Sequence, residues 1–106
     1  MVSFRLDRQT LHVAGEIDMS CSEALRERVD EALRAGGVIV DMTGVEFIDF
    51  SGIRALLQAT AELDGEGPIR ILASPAVVRI FEITGLNARP EIQLEIADRP
   101  APAISS

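Results

Sequence analysis

The residues of this chain that could do chemistry concentrate at one junction, Val45-Glu46-Phe47-Ile48-Asp49-Phe50-Ser51-Gly52-Ile53. An extended segment runs there into a helix. Asp49 or Ser51 can accept the first unpaired N–H groups of that helix, and Gly52 permits close packing. A hydroxyl at a helix N-terminus is also a good phosphate acceptor. The free N–H groups and the helix dipole stabilise an added phosphate, while the neighbouring Asp49 opposes it. Glu46 and Asp49 form an acid pair, but acidic residues are common throughout this chain and no substrate-binding cluster accompanies these two.

The remaining reactive side chains are isolated. His12 falls mid-strand among apolar neighbours and reads as a partly exposed strand histidine, not as the base of a Ser-His-Asp triad. Cys21 lies beside a helix start, where a thiol pKa can be lowered. No histidine is placed by sequence to assist it, so it reads as a small packing side chain. Gly65-Glu66-Gly67-Pro68 lacks a following Lys-Ser and is interrupted by proline, which removes it as a phosphate loop. One His and one Cys cannot build a zinc cluster, and one Cys cannot close a disulfide. The chain therefore reads as a protein without enzymatic activity or cofactor.

The elements that must hold the junction follow from periodicity. Residues 3–15 read as a hairpin, with Asp7-Arg8-Gln9 at its turn. Ser20 with Glu23 matches a capping box opening a first helix to about Arg34, with Leu25, Val29, Ala32 and Leu33 on one face and Gly36-Gly37 ending it. Val38-Ile39-Val40 reads as a strand buried on both faces, broken at Thr43-Gly44 before a separate extended segment, Val45 to Ile48. The second helix is expected from Ser51 to about Leu63, with Ile53, Leu56, Leu57 and Thr60 inward. A strand follows over Ile69 to Ala73. Ser74-Pro75 opens a third helix that buries Val77, Ile80 and Phe81 and ends at Gly85. Glu91 to Ile96 alternates as a half-buried strand.

The order ββ-α-β-α-β-α-β predicts a single small α/β domain. Its sheet is mixed and mostly parallel, with an antiparallel N-terminal hairpin and three to four covering helices. Three amphipathic helices leave part of one sheet face bare. Residues 1–97 are expected to form the domain and residues 98–106 a frayed tail.

Composition narrows the partners. The 106 residues are 47% hydrophobic and 25% charged, the balance of a folded domain. The 17 acidic against 10 basic residues leave a net charge of -7, which repels phosphate backbones and argues against nucleic acid. No apolar run is long enough to insert in a membrane, and charges occupy the segment where a signal peptide needs an apolar stretch, so a cytoplasmic location is expected.

Three stretches carry a family resemblance. Gly15-Glu16-Ile17-Asp18 is similar to the Gly-Glu-(Leu/Ile)-Asp of STAS domains. Phe47-Ile48-Asp49-Phe50-Ser51-Gly52-Ile53-Arg54-Ala55-Leu56-Leu57 resembles their Asp-Ser-(Ser/Thr)-Gly-Leu switch region. Ser74-Pro75-Ala76-Val77 through Ile80-Phe81 to Thr84-Gly85-Leu86 resembles their third-helix signature. The three occur in order over roughly residues 3–97, and within the family the match is to bacterial anti-sigma-factor antagonists.

The resemblance implies a partner-switching protein. Such an antagonist binds an anti-sigma factor that is also a serine kinase of ATPase-kinase fold, which frees the sigma factor. The kinase phosphorylates the antagonist and a serine phosphatase resets it; self-association as a homodimer is a further family trait. On this pattern Asp18, Asp49, Phe50, Ser51, Gly52 and Arg54 form the switch and partner-binding surface. The chain departs from the pattern at the acceptor, which in the family directly follows the Asp; here that residue is Phe50. Three readings stand. Ser51 has taken over as acceptor, or the chain is an antagonist that binds without phosphorylation, or it is a STAS domain outside sigma regulation, such as the subunit that holds the ATPase of a lipid-transport ABC complex. Phe50 is expected either to project as an apolar docking spot or to pack beneath the switch loop. Asp18 either meets the partner or serves the dipole of the first helix. Arg54 either meets an acidic partner or is a solvated charge.

Overall fold

A computed structural model describes residues 1–36, 39–61, 68–86, 90 and 92–96. The hairpin forms as β1 (Ser3–Asp7) and β2 (Thr10–Ile17), paired antiparallel from Ser3↔Ala14 to Asp7↔Thr10 around Arg8 at φ 58°. The chain continues as α1 (Ser22–Arg34), β3 (Ile39–Ile48), α2 (Phe50–Ala61), β4 (Ile69–Ala73), α3 (Pro75–Thr84) and β5 (Ile92–Ile96). The five strands lie in the order β1-β2-β3-β4-β5, and every pair after the first is parallel. This is the expected element order and the expected mixed sheet.

The period of two sets the layers. Leu11, Val13 and Ile17 of β2, Val40 and Met42 of β3, Ile69 and Ile71 of β4, and Ile92 of β5 are buried. They join one cluster with Leu25, Val29 and Ala32 of α1, Ile53, Leu56 and Ala59 of α2, and Val77 and Phe81 of α3. The alternate positions stay half-buried or exposed, so among the described residues part of one sheet face is left bare, as expected. That face pairs its own charges. His12 Nδ1 lies 3.1 Å from Asp41, and Arg70 donates twice to Glu95, at 2.8 and 3.0 Å. Partial burial pushes the Asp41 carboxyl up; the Thr43 N–H and hydroxyl and His12 more than offset it, so it sits below the usual carboxylate range.

Several local expectations are corrected. The Ser20–Glu23 capping box does not form. Ser20 turns its N–H and hydroxyl back to Asp18, at 2.9 and 2.5 Å, Glu23 pairs with Arg26, and α1 starts at Ser22 without a side-chain cap. Thr43-Gly44 does not break the strand, because an irregularity in the β2–β3 register absorbs it and pairing resumes to Ile17↔Ile48. Gly44 is what the close strands require there, since a Cβ at this position would lie 2.9 Å from the Cβ of Ala14. Along α2, Gly52 and Ala55 are buried while Leu57 and Thr60 are only half-buried, and Ile80 of α3 is likewise half-buried. Ser74 caps α3 as expected, accepting the Val77 N–H at 3.3 Å, and Gly85 ends it at φ 74°. Gly37, Val38, the 65–67 glycine loop, Leu63, Glu91 and the 98–106 tail lie outside the described residues.

Candidate functional site

β2 and β3 end together. Ile17 pairs with Ile48, and the Asp49 N–H then donates to the Ile17 carbonyl at 3.2 Å. Asp18 and Asp49 therefore leave the sheet from neighbouring strands, and each makes the same turn. The Asp49 carboxylate accepts the Ser51 N–H at 2.9 Å and the Ser51 hydroxyl at 2.5 Å, as Asp18 accepts both groups of Ser20. These donors hold Asp18 below the usual carboxylate range, the Ser20 hydroxyl first and its N–H second. A third copy, Asp41 with Thr43, lies within β3 at 3.0 and 2.8 Å.

This arrangement settles which residue caps α2. Asp49 is the N-cap. Its side chain takes the N–H of the second helical residue, and its carbonyl takes those of Gly52 and Ile53, at 3.1 and 3.4 Å. Ser51 is a donor to that cap and is half-buried. The two residues held between an Asp and a Ser project outward instead. Phe50 is 51% exposed and Met19 is 77% exposed, whereas Met42, inside the strand copy, is fully buried.

Gly52 sets how close α2 comes. A Cβ there would lie 2.8 Å from Ile17 Cγ2 and Ile48 Cγ1, so the first turn of α2 rests on the ends of the two strands. Arg54 is exposed, one turn on from Phe50. Acids frame the apolar pair. Glu16 pairs with the Met1 ammonium, which holds its carboxyl below the usual range, and Asp18 and Glu46 are exposed. Of the two acids singled out in the sequence, Asp49 accepts the Ser51 N–H and hydroxyl at the helix cap and Glu46 is exposed. Cys21 directs its thiol to the Glu16 and Asp18 carbonyls, at 3.7 and 3.6 Å, a packing role at the base of the same turn.

β3 also outlasts its other neighbour. Its last pairing with β4 is Met42↔Ala73, and among the described residues no strand flanks Thr43–Ile48 on that side. α3 packs along this stretch and leaves a groove of about 460 Å³. Glu46, Phe47 and Ile48 form one wall; Pro75, Ala76, Arg79, Ile80 and Ile83 form the other. Phe47 is 50% exposed and Ile83 72% exposed.

The structure thus brings together Asp18, Asp49, Phe50, Ser51, Gly52 and Arg54 at one end of the sheet. Sequence reasoning missed Met19, Phe47 and the groove. The signal for Met19 was present: Asp18-Met19-Ser20 repeats the type and spacing of Asp49-Phe50-Ser51. The groove joins residues some thirty apart and had no local signature.

Comparison with known proteins agrees with this fold. The family profile described as "Mlab, STAS domain" matches residues 1–95. An anti-sigma factor antagonist from Mycobacterium paratuberculosis has a similar structure, with a TM-score of 0.70 at 23% identity over 90% of this chain and 84% of that one. The anti-sigma factor antagonist SpoIIAA in its unphosphorylated form is similar at a TM-score of 0.61 and 20% identity, over 94% of this chain and 90% of that one.

Proposed function

The chain belongs to the STAS domain family, and from that premise we propose that it is a non-enzymatic anti-sigma-factor antagonist that binds its anti-sigma factor without a phosphorylation switch. One observation carries this reading: the residue after Asp49 is a half-exposed phenylalanine, while the nearest hydroxyl, on Ser51, is half-buried and donates to the Asp49 carboxylate at 2.5 Å. A phosphoryl group on Ser51 would set its two negative charges against the carboxylate that caps the helix. Phe50 and Met19 instead supply apolar contacts within an acidic frame. That fits a partner with an apolar pocket and a basic rim, and closing the exposed half of Phe50 would contribute about 1 kcal/mol.

The family's serine-kinase anti-sigma factors of ATPase-kinase fold are the partners this reading expects. A phosphatase has no task in it. The same observation favours one second reading, a subunit that holds the ATPase of a lipid-transport ABC complex, since a permanent docking subunit needs no phosphoacceptor either. Titration calorimetry with purified serine-kinase anti-sigma factors, and separately with transporter ATPases, from the same genome separates the two. Sub-micromolar binding to a kinase that transfers no labelled phosphate from ATP to the chain is the expected result. Phosphorylation at Ser51 removes the switch-free reading, and binding only to a transporter ATPase removes the sigma reading.

A further inference from the structure

The chain carries four sulfur side chains, three methionines and Cys21. The fold sorts them. Met42 is fully buried in β3, and Cys21 turns its thiol onto the Glu16 and Asp18 carbonyls. Met19 is 77% exposed. It follows the end of β2 by two residues as Phe50 follows the end of β3, and the two strands end on the Ile17↔Ile48 pair. Its backbone is held on both sides, by the Asp18–Ser20 bonds and by the Ser22 hydroxyl, which donates to the Met19 carbonyl at 3.3 Å. The thioether is thus presented to water from a fixed turn. A thioether is an apolar group that a mild oxidant turns into a polar one. The hydroxyls of the two turns, on Ser20 and Ser51, each donate to the carboxylate of their own turn. Met19 offers the same surface a different covalent change.

We propose that Met19 is an oxidation site that controls docking: a peroxide converts its thioether to the sulfoxide, and the partner is released. This rests on the reading that the chain binds a protein partner at this end of the sheet. The sulfur attacks one oxygen of the peroxide, and the O–O bond breaks as the S–O bond forms. The proton left on the new S–O group passes to the departing hydroxide, which leaves as water. Sulfur loses two electrons and the peroxide gains them. The product places a strong hydrogen-bond acceptor where the partner offers an apolar pocket, and burying that oxygen without a donor opposes docking. The core is spared because Met42 is buried. A sulfoxide reductase with a thiol as electron donor reverses the step.

The test treats the full chain with hydrogen peroxide and reads it twice. Peptide mass spectrometry should find the added oxygen on Met19 at least about tenfold faster than on Met42. Met1 is exposed as well and should also gain one. Equal rates at Met19 and Met42 overturn the proposal. Calorimetry with the kinase or ATPase that binds the untreated chain should then give an affinity at least about fivefold lower. Methionine sulfoxide reductases with dithiothreitol should restore it. Met19→Leu has no thioether at this position, so treatment should leave its affinity where it was. A loss that persists in this variant lies with Met1 or Cys21 and overturns the proposal. Met19→Gln, which puts a polar group there without oxidant, should melt like the parent and bind like the oxidised parent. An oxidised parent that binds as tightly as the untreated chain overturns the oxidation site and leaves the antagonist reading standing. An untreated chain that binds neither kinase nor ATPase overturns that reading, and this proposal falls with it.

Discussion

The backbone N–H of Asp49 donates to the carbonyl of Ile17 at 3.2 Å, and this bond aligns two turns that the sequence holds 31 residues apart. Each turn is an Asp that captures the N–H and hydroxyl of a Ser two positions on. Met19 and Phe50, between the tied residues, are exposed where the chain has left the ends of β2 and β3, whereas Met42, between Asp41 and Thr43 within β3, is buried. The tie is common to all three, and the position at the strand ends is what displays the first two.

Phe50→Ser and Met19→Ser should each weaken partner binding, by about tenfold for Phe50 and somewhat less for Met19, while leaving the thermal midpoint within about one degree. Both side chains are already half or more in water, so folding loses little. If one pocket covers both, the double mutant departs from additivity by about 0.5 kcal/mol or more. Calorimetric affinities for the four chains close the cycle; strict additivity means that the two side chains reach separate sites.

Asp49→Ala should cost about 1 kcal/mol in a urea melt, the ordinary loss for a side-chain N-cap. Asp49→Asn should keep most of it, because an amide oxygen still accepts the Ser51 N–H. Amide exchange reports the mechanism: in Asp49→Ala, protection should fall at Ser51, whose N–H the carboxylate accepts, less at Gly52 and Ile53, whose acceptor is the backbone carbonyl that alanine keeps, and not along the rest of α2. Uniform loss of protection would place Asp49 in the core's stability and not in the cap's.

How legible this site was depends on the range of the interaction that builds it. Strand and helix order came from periodicity, which is local, and so did the Ser74 cap and the Gly85 stop. The failures came from competition between equally local options. Ser20 had two acceptable uses, and Asp18, two residues away, won over Glu23. Thr43-Gly44 reads as a break until β2 is known to lie close enough that only a glycine fits. The exposure of Phe50 was undecidable from sequence, since both outcomes suit the first residue of a helix. The β3–α3 groove needs the tertiary fact that β4 stops opposite Met42.

Gly52→Ala should be destabilising although alanine is the better helix former. Its methyl would meet Ile17 and Ile48 at 2.8 Å, and forcing it in costs roughly 1–3 kcal/mol against about 1 kcal/mol of helix propensity regained. Partner affinity should fall as well, because α2 must move off the strand ends and carries Phe50 with it. A variant as stable as the parent would mean that the isoleucine side chains swing aside without cost.

Acid should unfold this chain through a defined set of carboxylates. Glu16, Asp18, Glu23, Asp41 and Glu95 all sit below their ordinary values of 4.5 for Glu and 3.8 for Asp. Depressed in the folded state, they bind fewer protons there than in the unfolded chain. Their stabilisation is therefore complete above those ordinary values and is lost as the pH falls through the lower folded ones. Melts should be flat from neutrality to about pH 5 and fall steeply below about pH 4. Glu95→Gln, which removes the charge and one of the two oxygens that accept from Arg70, should shallow that fall. A melting temperature that already declines between pH 7 and 5 would point to other groups.

Ser51 separates the switch readings most directly. Ser51→Ala removes the hydroxyl that donates to Asp49 but leaves the backbone N–H that caps the helix, so about 0.5–1.5 kcal/mol of stability should be lost and partner affinity should stay within about twofold. Ser51→Asp places a second carboxylate against the first, and should fray the start of α2 and weaken binding at least about tenfold. With labelled ATP and the cognate kinase, the parent chain should take up no phosphate, while Phe50→Ser, which restores a hydroxyl where the family carries its acceptor, should become a substrate. Uptake by the parent that Ser51→Ala abolishes would show instead that the Asp49 bond opens readily enough to be broken by a kinase, and that Ser51 is the switch.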